Sequence, residues 1–360
     1  MGELDQLRRT WAARQGLGKK RLSGVHAIPW LYSASGACAY LSVRARFPGM
    51  SRADIERSGL VDVPCVRSNM LVPPADVALA LAAGRRSNAE RFRRLTSKCK
   101  VSGTEIRDLG AAVVEVLQGG SLPIDRIRQR LPTRLIRNLG EPGRKLGDTS
   151  TLPVALRELQ AQGRVLRDSE PFIYRLNQPP APVEESDIDV QLARRFFAWA
   201  GPATVEEFAW WANLGVKAAR AAVSKLDLEA SQAPDAKPEP TGLKLLPFRD
   251  NYLYFRRNLA VFLEPKHQSL KLLDLKNKLT PLNTQQTLHH HAIVFDGRLI
   301  GAWEYDPERE NIAWTVWEEA RGVERAVEEM AVFIRQELGD LKFYALDTGK
   351  GRRLRIESLR

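Results

Sequence analysis

The sequence predicts a mainly α protein of tandem winged helix-turn-helix units, followed by a small β-containing, α+β C-terminal region. Three observations predict it. Helical-period apolar stripes with cap and stop residues fill 104–162, the same order of helices recurs over 187–226, and alternating apolar runs flank Asp296-Gly297 near the end. The 360 residues are 44% hydrophobic with mean hydropathy −0.32, a composition that builds two or three cores rather than a disordered chain.

In chain order, Leu4 to Gly16 reads as an Arg-rich amphipathic helix (Leu4, Leu7, Trp11) that opens a first domain over 1–100. Val25 to Phe47 is apolar, with small residues before Tyr40 and the basic pair Arg44 and Arg46 after it. Ser51 followed by Asp54 signals a helix start, Val61 to Leu71 reads as a strand carrying Arg67, and Pro73-Pro74 precedes a helix from Asp76 to Gly84. Arg85 to Lys100 is then a one-sign cluster: Arg85, Arg86, Arg91, Arg93, Arg94, Lys98 and Lys100 against Glu90. Such clustering costs self-repulsion unless an anion offsets it, so the segment reads as a phosphate-contacting helix.

Residues 101–180 read as a central winged helix. Thr104 starts a helix with Ile106, Leu109, Val113, Val116 and Leu117 on one face, and Gly119-Gly120 stops it. Pro123 opens a second helix to about Leu131. A basic loop (Arg134, Arg137, Arg144, Lys145) leads to a third, in which Thr149, Ser150 and Thr151 precede the Leu152, Leu156, Leu159 stripe. That third helix is the expected recognition helix. Arg164–Arg167 and Phe172–Leu176 read as two strands joined by Asp168-Ser169-Glu170-Pro171.

The stiff stretch Pro179-Pro180-Ala181-Pro182-Val183-Glu184-Glu185 marks a boundary. Beyond it, 181–240 reads as a third winged-helix-like unit with helices at 187–199, 204–212 and 215–226, and Trp199, Trp210 and Trp211 as core. The region 241–360 is read as α+β: apolar runs at 243–248 and 252–255, the Asp-Gly hairpin, a strand at 312–317, a helix at 323–338 and a basic tail from Lys350.

Net charge +12 and a pI near 9.8 favour nucleic acid or an anionic surface, with DNA or RNA the simplest partner. The residues expected to face it are Arg44, Arg67, Arg85, Arg86, Arg91, Arg93, Arg94, Arg134, Arg137, Arg144, Lys145, Thr149, Ser150 and Arg167. No apolar run approaches the roughly 20 residues of a membrane span, and the first residues carry no leader pattern, so the expectation is a cytoplasmic protein with no membrane partner. Walker, dinucleotide-binding, His-Glu-x-x-His and Gly-x-Ser-x-Gly patterns are all missing, so no cofactor and no nucleotide is expected. Cys38, Cys65 and Cys99 lack disulfide or zinc spacing, and the consecutive His289, His290 and His291 cannot all ligate one ion in regular structure, so no metal is expected either.

Three strings carry a family resemblance. Ala13-Arg14-Gln15-Gly16-Leu17 with the run Leu31 to Arg46 and Pro48-Gly49-Met50-Ser51-Arg52-Ala53-Asp54 is the first; Leu245-Leu246-Pro247-Phe248-Arg249-Asp250-Asn251-Tyr252 is the second; Val294-Phe295-Asp296-Gly297-Arg298-Leu299-Ile300-Gly301-Ala302-Trp303 is the third. In matching order they resemble the AlkZ/YcaQ-like winged-helix DNA glycosylase family. The resemblance implies tandem winged helices around a basic concave surface, and excision of alkylated bases, interstrand crosslinks included. It also places the family's catalytic Gln-x-Gln or Gln-x-Asp on Tyr32-Ser33-Ala34, so both catalytic positions depart from the pattern. Its Arg-Gly-Thr-x-His segment appears as Arg67-Ser68-Asn69-Met70, without the histidine.

Cleaving an N-glycosidic bond develops positive charge on the sugar, which a carboxylate or amide oxygen stabilises while positioning water. Ala34 offers no such oxygen. Tyr32 is a poor base near neutral pH, and Ser33 or Ser35 can hold a water without activating it. These three are the candidate catalytic positions. The expectation is thus a duplex-DNA-binding protein of glycosylase-like repair character, with a catalytically inactive lesion sensor or transcriptional regulator as the competing class.

Overall fold

The computed structural model describes residues 2–19, 22–33, 36–168, 172–234, 238–339 and 348–360. About half of the chain is helical and the strands are antiparallel, which makes the fold α+β. Two compact units form, one from residues 1–59 with 193–360 and the other from 60–192.

Helix α1 (Glu3–Arg14) carries Glu3 and Asp5 in its first turn and Arg14 in its last, matching the helix dipole, and buries Trp11 and Ala12. After β1 (Leu31–Tyr32) come α2 (Ala37–Arg46) and α3 (Arg52–Arg57), the latter opened by a capping box between Ser51 and Asp54. The strand expected over 61–71 is instead a hairpin of β2 (Val61–Pro64) and β3 (Asn69–Val72), with Arg67 in its turn in left-handed backbone, φ +61°. The expected stop at Gly84 is also corrected, because α4 runs unbroken from Val77 to Cys99. A Cβ at Gly84 would lie 2.6 Å from the Pro64 carbonyl oxygen, so this glycine admits β2 against the helix rather than ending it.

Helix α5 (Gly103–Gln118) begins earlier than Thr104, capped reciprocally by Ser102 and Glu105. Strand β4 (Leu122–Pro123) and α6 (Ile124–Arg130) follow. The basic loop holds a helix of its own, α7 (Gly140–Lys145), before α8 (Thr151–Ala161) and the hairpin β5 (Val165–Arg167), β6 (Ile173–Leu176). Ser169, Glu170 and Pro171 of its expected turn lie outside the described residues. Within this unit the strands are ordered β3-β2-β5-β6-β4. Ile106, Leu109, Val113 and Leu117 of α5 share one core with Leu152, Leu156 and Leu159 of α8, each leucine contributing roughly 2 kcal/mol by burial.

Helix α9 (Glu185–Ala200) leads to α10 (Val205–Trp211), which has a Thr204–Glu207 capping box, then α11 (Val216–Val223) and α12 (Glu229–Gln232). Trp211 is fully buried against Trp30, Phe196 and Phe255, as core was expected to be, whereas Trp199 and Trp210 are half-buried. Strand β7 (Leu243–Leu246) and α13 (Asn251–Tyr254) precede the small pair β8 (Lys271–Leu273) and β9 (Leu279–Pro281). The main sheet has the order β12-β11-β10-β7, with β10 (His291–Phe295), β11 (Arg298–Asp306) and β12 (Asn311–Val316). Asp296 (φ +47°) and Gly297 (φ +83°) make the expected hairpin turn. Helix α14 (Val323–Phe333) continues as one π-helical stretch to Leu338. The expected basic tail is a folded helix, α15 (Gly349–Glu357), whose Arg355 is buried.

Candidate functional site

Tyr32 ends β1 and is 8% exposed. Its ring meets Phe248 edge to face at 6.4 Å, and the Arg249 guanidinium lies over it at 5.1 Å. Burial raises the Tyr32 hydroxyl above its ordinary value of 10.0, and Arg249 draws it partly back, so Tyr32 is no base at neutral pH. Ser33 is 1% exposed and its hydroxyl has no hydrogen-bond partner among the described residues. Ser35, the third catalytic candidate, and Ala34 lie outside the described residues. Arg249 is the residue that sequence reasoning missed: it places a positive charge, not an amide or carboxylate oxygen, beside the Tyr32 ring.

The loop that supplies Arg249 is anchored by its neighbour. Asp250 is buried at the start of α13, where it accepts both guanidinium nitrogens of Arg46 (2.8 and 3.0 Å), the Ser42 hydroxyl (2.6 Å) and the Tyr252 N–H (3.0 Å). Burial opposes its charge, but the Arg46 guanidinium outweighs that and holds the carboxyl below its ordinary value. Asn251 donates to the Trp30 carbonyl at 2.6 Å, tying the same loop to the residues before β1. Asp250 is therefore consumed in positioning and is no free acid.

The histidine triplet is structural. His291 accepts from the Phe248 N–H at 2.8 Å and stacks on Trp303 at 4.2 Å, while His289 meets the Asp274 carbonyl oxygen at 2.6 Å. His290 and Arg355 each reach Glu304 at 3.2 Å. Burial works against the Glu304 charge, yet His290, His291 and Arg355 bring its carboxyl down to about 2. Among the described residues no group of His, Cys, Asp or Glu side chains is arranged to hold a metal ion. All three cysteines are buried and free, and burial pushes the Cys65 thiol up to about 12.

Most of the arginines expected to face DNA are engaged within the protein. Arg44 packs over Phe333, and burial lowers its pKa. Arg167 pairs with Asp62 and covers Phe172; Arg86 pairs with Asp189; Arg91 pairs with the fully buried Asp148, which also holds Arg157. Arg137 forks onto Glu105 and also reaches the carbonyls of Cys99 and Lys100 at the end of α4, a capping role. Arg93 and Arg94 lean on Glu90, and Arg144 and Lys145 on Glu141, in exposed pairs of the sort that contribute little and leave the cations facing solvent. Arg67, Arg85 and Arg134 are exposed.

A hollow of about 280 Å³ lies at the start of α8, lined by Arg128, Thr133, Ile136, Asn138, Thr149 and Ser150. Ser150 occupies the position preceding the helix, yet its side chain makes no cap; it is 5% exposed and its hydroxyl has no partner among the described residues. Thr149 is exposed beside it. The positive end of a helix, an unpaired hydroxyl and Arg128 thus converge on one hollow, an arrangement that suits a phosphate. Arg128 had no signal in the sequence beyond its charge.

A family model described as "DNA glycosylase AlkZ-like" matches residues 20–333. Among solved structures, the Streptomyces sahachiroi DNA glycosylase AlkZ is similar with a TM-score of 0.65 and 18% identity, covering 93% of this chain and 97% of that one. No curated protein matches the sequence. Among the described residues no helix is long and apolar enough to cross a membrane.

Proposed function

We propose that the chain, which belongs to the AlkZ-like DNA glycosylase family, binds duplex DNA carrying alkylated or crosslinked bases and recognises the lesion without excising it. Residues 101–180 act as a winged helix in this reading, with α8 as its recognition helix and the β5–β6 hairpin as its wing. The flanking segments 1–100 and 181–240 are further winged-helix-like modules, and 241–360 is the C-terminal α+β part. The observation that carries DNA binding is the hollow at the start of α8, where Ser150 keeps an unpaired hydroxyl beside Arg128 and Thr149. In the same compact unit, Arg93, Arg94, Arg144 and Lys145 are exposed cations available to further phosphates.

Lesion recognition without cleavage is supported at Tyr32. The two catalytic amide or carboxylate positions implied by the family fall on Tyr32 and Ala34, and Tyr32 is buried beneath a cation. One observation favours the second reading, a weak hydrolase: the Ser33 hydroxyl is buried without a partner and can hold a water. N7-alkylguanine, a good leaving group, would then need little assistance.

Duplex affinity measured by fluorescence anisotropy against salt tests the binding claim. Counterion release requires log K to fall linearly with log salt, by about 0.9 for each phosphate contact. Ser150→Ala with Arg128→Gln should weaken binding similarly on all sequences and flatten that slope, because phosphate contacts carry no sequence information. An affinity indifferent to salt would overturn the claim, and a loss confined to one sequence would replace the phosphate site by base readout.

A further inference from the structure

Arg249 and Arg257 bracket α13, and both hold left-handed backbone, at φ +59° and +50°. For a residue with a Cβ that conformation costs about 1 kcal/mol, and such costs gather where function requires a set geometry. The Arg249 guanidinium carbon lies 5.1, 5.0 and 5.6 Å from the ring centres of Tyr32, Phe248 and Tyr254. Tyr254 in turn meets Trp210 edge to face at 4.9 Å, and the Arg257 guanidinium lies 4.3 Å over Trp210. The result is a ladder of cation, ring, ring and cation, whose members Arg249, Tyr254, Trp210 and Arg257 are all half-buried.

Ring packing alone explains the two aromatics but not the two arginines. Among the described residues neither guanidinium has a carboxylate partner: the Arg249 Nε is buried with no acceptor, and Arg257 donates to the neutral Gln286 side chain. A guanidinium held against rings rather than on a carboxylate keeps donors for a phosphate. Half-covered rings between two such cations match the alternation of base and phosphate in a strand whose bases are unstacked, and a paired duplex hides those base faces.

We propose that this ladder is a binding site for unpaired DNA nucleotides, the two arginines taking successive phosphates and Trp210 with Tyr254 stacking a base. The proposal rests on the DNA-binding reading and adds the strand state that this part of the protein selects. It names a site separate from the hollow at α8.

The test compares a labelled oligothymidine with a fully paired duplex on the full chain. Arg249→Gln with Arg257→Gln should lower oligothymidine affinity about tenfold while duplex affinity changes less than about twofold, in keeping with alanine-scale losses at stacking platforms. Trp210→Leu should lose as much. Trp210→Phe should keep the affinity but lose the tryptophan quenching that oligothymidine causes in the unaltered protein. Circular dichroism checks folding; should Trp210→Leu unfold, the double glutamine variant, which removes charge without opening the core, decides alone. Unchanged oligothymidine affinity in that variant overturns the ladder. Unaltered protein that binds duplex but no oligothymidine also overturns it and leaves the DNA reading standing, whereas binding of neither overturns the DNA reading and the ladder with it.

Discussion

Arg249 and Arg46 differ in what holds them, although one loop serves both. Arg46 is fully buried and forks onto Asp250, so its charge is spent on locking that loop to α2. Arg249, the residue next to that aspartate, rests on three rings with no carboxylate partner among the described residues. In residues 60–192 the same division separates Arg91 and Arg167, which are bound to the buried Asp148 and Asp62, from Arg93, Arg94 and Arg144, which lean on the far more exposed Glu90 and Glu141. The count of 55 lysines and arginines therefore overstates the cations available to a ligand, and the informative ones are those that the fold leaves without a buried partner.

The largest difference is expected at two adjacent residues. Asp250→Ala strands a buried Arg46 and should cost 3–5 kcal/mol, roughly, in urea denaturation, whereas Arg249→Gln should leave stability nearly unchanged. Equal losses at the two positions would erase the distinction. Acid titration gives the next largest effect. Glu304 has its folded pKa depressed from 4.5 to about 2, so its contribution is fully present above pH 4.5 and is lost as pH falls toward 2; the drop is worth about 3 kcal/mol. Asp250, also depressed, adds to the same acid limb below its ordinary 3.8. Glu304→Gln should flatten that limb of the stability–pH curve, and an unchanged slope would mean that other carboxylates dominate. The smallest effect on the fold is expected at Arg93→Gln with Arg94→Gln: no measurable loss of thermal stability, but a shallower salt dependence of duplex affinity.

Where local periodicity decides structure, the sequence was readable. The α5 and α8 stripes, the Ser51–Asp54 and Thr204–Glu207 boxes and the Asp296-Gly297 turn all lie where capping and turn chemistry put them. Long-range contacts overrode local signals elsewhere. Gly84 looked like a helix stop and serves instead as clearance for β2, and the basic C-terminal residues fold because Arg355 finds Glu304 on β11. Charge clusters were legible as clusters, but not their partners: Asp148, lying just ahead of α8, takes up both Arg91 and Arg157. Arg249 could not be singled out, since its setting is assembled from residues 32, 248 and 254, and no spacing in the sequence brings those together. The Tyr32-Ser33 segment stands out only through the family strings, and the burial of Tyr32 beneath a cation appears only in three dimensions.

The central claim, recognition without excision, is tested most directly by base release from duplex DNA carrying N7-methylguanine, under single-turnover conditions with the protein in excess. Saturable, salt-sensitive binding and a release rate equal to that of the DNA alone are expected, because the group beside Tyr32 is a cation and both family oxygens are missing. Release above the uncatalysed rate that falls with Ser33→Ala, while DNA affinity holds, would contradict it and make the chain a hydrolase.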